Sequence, residues 1–162
     1  MVFIIYIYAL LGFNTSTFST DTTVYEKALS EIKNTSEFKS ISRGKDNYYV
    51  SSEILSIYSL GKFYKKEMKN HLVVSEEDFL SMSDVKPSFN NEMTKLGTKK
   101  CAKLKIYFSE IKEGVFFSEV LESPKKNEKY IDRPNFGISY LYMFQKRGDE
   151  IHLLGVKEIA YN

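Results

Sequence analysis

The side chains best suited to chemistry are few: two histidines, His71 and His152, and one cysteine, Cys101. A catalytic zinc centre takes three protein ligands, often two of them in a His-Glu-x-x-His repeat, and nothing here has that form. His71 precedes Glu76, Glu77 and Asp78, a set that can gather a cation. Acids in that position also read as the favourable first turn of a helix capped by Ser75, and that reading outweighs a metal site. Cys101 follows Lys99 and Lys100, whose charge would favour a thiolate, but a nucleophilic thiol needs a histidine to take its proton. No phosphate loop, dinucleotide fingerprint or Gly-x-Ser-x-Gly elbow occurs in the chain. His152 therefore stands as the catalytic candidate, with Glu119 or Glu158 as carboxylate partners, in a hydrolase-like or isomerase-like enzyme. Neither a metal nor a cofactor is expected.

The richest set is aromatic. Between Ile138 and Phe144 the residues Ile138, Tyr140, Tyr142 and Phe144 fall on one strand face and Ser139, Leu141 and Met143 on the other. Tyr140 and Tyr142, joined by Phe116 and His152, are the candidate ligand-binding residues, lining one side of a sheet that holds a small molecule. The competing reading is a packed core with wet tyrosine hydroxyls. Lysines cluster at Lys62, Lys65, Lys66 and Lys69, and again at Lys95, Lys99, Lys100, Lys103 and Lys105. With 23 basic against 21 acidic residues and only three arginines, these read as solvent coverage, and no nucleic acid is expected as a partner.

The elements that must position these residues follow from periodicity. Val24, Tyr25, Ala28, Leu29 and Ile32 share one helical face, which predicts a helix from about Thr22 to Glu37 opened by a Thr23–Glu26 capping box. Ser42 to Asn47 is a turn, and a strand begins at Tyr48-Tyr49-Val50 and resumes through Ile54 to Ile57. Short helices are expected in the middle of the chain: within Leu60 to Lys69, after Ser75, and from Pro87 to a stop at Gly97. The alternation of Ala102, Leu104, Ile106 and Phe108 with Lys103, Lys105, Tyr107 and Ser109 predicts a half-buried strand. Lys112-Glu113-Gly114 turns it into Val115 to Leu121. After a polar loop, a second hairpin joins Ile138–Gln145 to Ile151–Tyr161 around Lys146-Arg147-Gly148-Asp149. Gly155 interrupts the alternation of the last strand, as a β-bulge would. The fold class is α+β: an amphipathic N-terminal helix packed on a curled antiparallel sheet of about four to six strands.

Val2 to Phe13 is an uncharged apolar run followed by a small polar stretch, which predicts a secretory signal peptide over residues 1–19. The run is too short to span a bilayer, which takes roughly 20 apolar residues, so no stable membrane span is expected in the mature chain. Residues 20–162 then form one exported domain, periplasmic or extracellular, with no intramolecular disulfide because Cys101 is the only cysteine. Three roles fit this sequence: a non-enzymatic protein binding a small ligand or protein partner, the enzyme centred on His152, and a structural component of an envelope.

Overall fold

The N-terminal helical periodicity is realised as α1, Thr22–Asn34, and its buried residues are Val24, Tyr25, Ala28, Leu29 and Ile32. The computed structural model describes residues 22–64, 85–99, 102–123, 129–132 and 137–161. The leader at residues 1–19, His71 with its neighbouring acids, Cys101, and the lysines at 65, 66, 69 and 100 lie outside the described residues. The helix does not run on to Glu37. Thr35 adopts an extended conformation and its hydroxyl accepts from Phe38 N, so the chain stops and restarts as α2, Ser36–Ser42. Nor does Thr23 cap α1, since it lies inside the first turn.

A six-stranded sheet follows: β1 (Tyr48–Leu55), β2 (Ser88–Phe89), β3 (Leu104–Ser109), β4 (Val115–Glu122), β5 (Gly137–Arg147) and β6 (Glu150–Tyr161). Their order across the sheet is β2-β1-β3-β4-β5-β6. β3 to β6 form the expected antiparallel meander. The sheet as a whole is mixed, however, because β1 pairs with β3 in parallel, with Tyr48 opposite Leu104 and Val50 opposite Ile106. An antiparallel sheet throughout is thus corrected: the long connection from β1, which among the described residues includes α3 (Ile57–Gly61), β2 and two 3-10 turns, brings the chain back to start β3 from the same end. Asn90, not Pro87, opens the second of those turns, Asn91–Leu96, by accepting from Glu92 N.

β3 is buried along its whole length, not on one face alone. Leu104, Ile106 and Phe108 join the cluster that contains α1. Tyr107 belongs to a second cluster with Leu55, Ile57, Tyr58, Leu60, Tyr64 and Tyr130 on the opposite face. That second cover was invisible to the alternation of lysines and hydrophobics, and it buries Lys105 as well.

The two hairpins use the expected turns. Glu113 and Gly114 both have positive φ, 51° and 78°, as a two-residue type I′ connection requires. A Cβ at Gly114 would stand 2.9 Å from the Lys146 carbonyl oxygen, so this position is constrained by space as well as by conformation. At Gly44, where φ is 70°, a Cβ would meet nothing within 4 Å. Gly114→Ala is therefore expected to cost about 1–3 kcal/mol, and more than Gly44→Ala, in urea unfolding of the two variants. Equal losses would contradict the close approach.

Candidate functional site

The sheet distributes the candidate residues over two faces and one end. Phe116 and Tyr142 are fully buried on the α1 face. The Phe116 ring stacks on Phe144, with centroids 5.2 Å apart, and meets Tyr25 edge-on at 5.7 Å. The Tyr142 hydroxyl lies 3.2 Å from Thr35 Oγ1, which ties the break between α1 and α2 to the sheet. Burial pushes the Tyr142 hydroxyl well above its ordinary pKa, against the opposing effect of the Thr35 hydrogen bond. Tyr25 is shifted upward by burial and then by the Glu110 charge, while its hydroxyl donates to the Ser109 carbonyl oxygen at 3.0 Å. These rings are packing, sealed from solvent.

Tyr140 shares their face but is only half-buried, at the end of the sheet where Glu158 lies opposite it on β6. Partial burial, and then hydrogen bonding to the Glu158 carboxylate, raises its phenol pKa. His152 does not join the set. It pairs with Gln145, whereas Leu153 pairs with Phe144 and Val156 with Tyr142. The register shift between Met143 and Phe144 leaves Leu154 as the extra residue beside Gly155. That bulge reverses the facing of everything N-terminal to it, so Val156 packs on the α1 face and His152 points from the other. His152 is exposed, and its Nε2 lies 3.4 Å from a Glu150 carboxylate that is itself 80% exposed. Glu119 does occupy the face His152 points from. It sits opposite Leu141, however, four residues along β5 from Gln145, or about 13 Å at the usual rise of a strand.

Glu119 is instead the centre of a polar network that periodicity did not reveal. It is 1% exposed and accepts from the Tyr130 hydroxyl at 2.6 Å, from Ser139 Oγ at 2.6 Å and from the Tyr161 hydroxyl. Three hydroxyls thus replace water around a carboxylate whose unpaired burial would be costly. The Tyr130 main-chain N–H donates to a second buried carboxylate, Glu53, at 2.6 Å. The Tyr130 ring meets Tyr107 edge-on at 5.1 Å, and Lys105 places its ammonium 4.6 Å from the centre of the Tyr49 ring. One signal for this network was present in the sequence: Ser118-Glu119 interrupts an otherwise apolar strand, with Glu119 on the same parity as Phe117 and Leu121.

Tyr161 links that network to open space. A cleft of about 670 Å³ lies at the end of the sheet beside it. Ile41, Ile138 and Tyr140 give the cleft an apolar wall, and Arg43, Lys103 and Glu122 give it charge. A smaller recess of about 300 Å³ on the other side of Tyr140 is lined by Glu37, Ser40 and Glu158. Arg43 terminates α2 in the left-handed region, φ 53°, and its guanidinium is 3.3 Å from Glu122. The Glu119 carboxylate, which Tyr161 connects to the cleft, already accepts from three hydroxyls. Among the described residues no group of three or more His, Cys, Asp or Glu stands close enough to hold a metal ion. Nor, among them, is any helix long and apolar enough to cross a membrane. No protein family, curated protein or solved structure matches this chain.

Two neighbouring residues of β4 separate paired from unpaired burial. Ser118 Oγ, on the α1 face, has no hydrogen-bond partner among the described residues. Ser118→Ala should leave stability unchanged or raise it by up to about 1 kcal/mol, whereas Glu119→Gln should lower it by about 1–3 kcal/mol. Urea midpoints of both variants check this, and a Glu119→Gln midpoint equal to wild type would contradict the network.

Proposed function

We propose that this chain is an exported, non-enzymatic protein that binds a small ligand in the cleft at the end of its sheet. The observation that carries the reading is the position of Tyr140: of the nominated ligand-binding residues, it is the one whose ring borders an open cavity. A volume of about 670 Å³ lies within the range of small-molecule sites, and an apolar wall with a few charged groups is the usual make-up of such sites. Phe116 and Tyr142 then serve as the rigid bed behind Tyr140 rather than as ligand contacts. On this reading α1 lies across a curled sheet, an α+β roll, with the bulge at Gly155 contributing the bend that leaves the sheet end open.

The enzyme reading loses support from the exposure of His152 and of its carboxylate neighbour, since neither sits in an enclosed cavity. A structural role in an envelope calls for a large exposed apolar patch; among the described residues the exposed large hydrophobics are Val85, Phe89, Ile131, Ile138 and Leu154.

Two experiments test the proposal. In amide-resolved NMR titrations with indole, cyclohexanol and benzoate, at least one probe should shift signals of Ile41, Ile138, Tyr140 and Tyr161 together, and Tyr140→Ser should weaken that response about tenfold. Shifts confined to other surfaces, or none with any probe, would overturn the cleft as the binding place. For export, N-terminal sequencing of protein from its own host should begin near residue 20. An intact Met1 on the mature protein would overturn the cleaved leader.

A further inference from the structure

We infer that the ligand of this cleft is an amphiphile with a single anionic head, such as a carboxylate, held between Arg43 and Lys103 with its apolar body against Tyr140. The inference rests on the cleft being the binding place and adds the class of ligand. Three observations lead to it. Of the three charged residues on the cleft among the described residues, Arg43 and Lys103 are cations and Glu122 is the carboxylate. Glu122 already faces Arg43 at 3.3 Å, with both side chains at least half exposed. Lys103 has no carboxylate partner among the described residues, although the adjacent main chain is fixed by the hydrogen bond from Ser123 N to its carbonyl oxygen at 2.7 Å. Among the described residues the rim therefore carries one positive charge in excess, which an anion would neutralise.

The second observation is the apolar side of the same cleft. Ile138 is 51% exposed, and it stands beside the half-buried Tyr140 and Ile41. An inorganic anion would leave that surface wet, while an uncharged apolar molecule would leave Lys103 uncompensated. A molecule with both parts satisfies both. The third observation is pre-organisation. Arg43 is held in a left-handed conformation at the end of α2, with its N–H bonded to the Lys39 and Ser40 carbonyl oxygens, so its side chain departs from a fixed point. A guanidinium offers five donors in a planar fork, and one ion pair with Glu122 leaves donors to spare.

The test compares three soluble probes of one chain length, octanoate, octan-1-ol and octylammonium, by calorimetric titration of the full mature chain. Octanoate should bind about tenfold more tightly than octan-1-ol, octylammonium should bind most weakly, and the octanoate advantage should fall with rising salt. R43Q and K103Q should each weaken octanoate binding and so erase most of that advantage. Both positions are exposed, so unaltered unfolding midpoints will verify that the variants fold. Equal binding of octanoate and octan-1-ol at the cleft would overturn the anionic head and leave the cleft standing. Absence of binding by all three would overturn both, and preference for octylammonium would overturn the sign of the charge.

Discussion

A carboxylate buried in the middle of a sheet constrains everything around it. Glu119 cannot sit on β4 with both faces covered unless its oxygens are supplied with donors, and the donors come from three separate places in the chain: Ser139 on β5, Tyr161 on β6 and Tyr130 between β4 and β5. Tyr130 in turn donates its main-chain N–H to Glu53 on β1, 77 residues away in sequence. Two carboxylates and one tyrosine thus connect the early part of the chain to its end. The desolvation of such groups makes the arrangement all-or-none, since removing one partner strands another.

The two faces of the sheet solve their burial differently. On the α1 face the solution is aromatic: Tyr25, Phe108, Phe116 and Phe144 pack ring on ring, and the Tyr25 hydroxyl finds the Ser109 carbonyl oxygen. On the opposite face α3, Tyr64 and Tyr130 cover a layer that includes Glu53, Lys105 and Glu119, so the cover must supply hydrogen bonds as well as apolar area. The cleft lies where these two regimes meet, at the sheet end. Tyr140 belongs to the aromatic face and Tyr161 to the polar network, and both border it. Its shape thus depends on packing from one side and on hydrogen bonds from the other.

Local patterns in the sequence were sufficient for most of the elements, though not for β2 or the end of α1, and insufficient for their partners. The five apolar residues of α1, the turn at Glu113-Gly114 and the break at Gly155 are each dictated within a few residues, by helical spacing, by positive φ and by parity. The parallel pairing of β1 with β3 is not, because nothing in either strand records which neighbour it takes. The cover over Lys105 was equally hidden: a lysine alternating with hydrophobics normally marks a solvated face, and only tertiary packing overrides it. Thr35 shows the same limit on a smaller scale, since it caps α2 instead of continuing α1, and its hydroxyl also contacts Tyr142. For the site, three of the four nominated residues share a face, and the Gly155 bulge removes the fourth, His152. Parity located the bulge but could not tell which residue would be extra. Glu119 was visible as a carboxylate, yet its three hydroxyl donors lie 11, 20 and 42 residues away.

The central claim is that the sheet end is an open binding cleft with Tyr140 as its wall. A high-resolution crystal structure of protein purified from its own host tests it most directly. The account predicts residual density lying against Tyr140 and Ile138, with its polar end between Arg43 and Lys103. A sheet end filled by the protein's own side chains, with Tyr140 in closed packing, would contradict it.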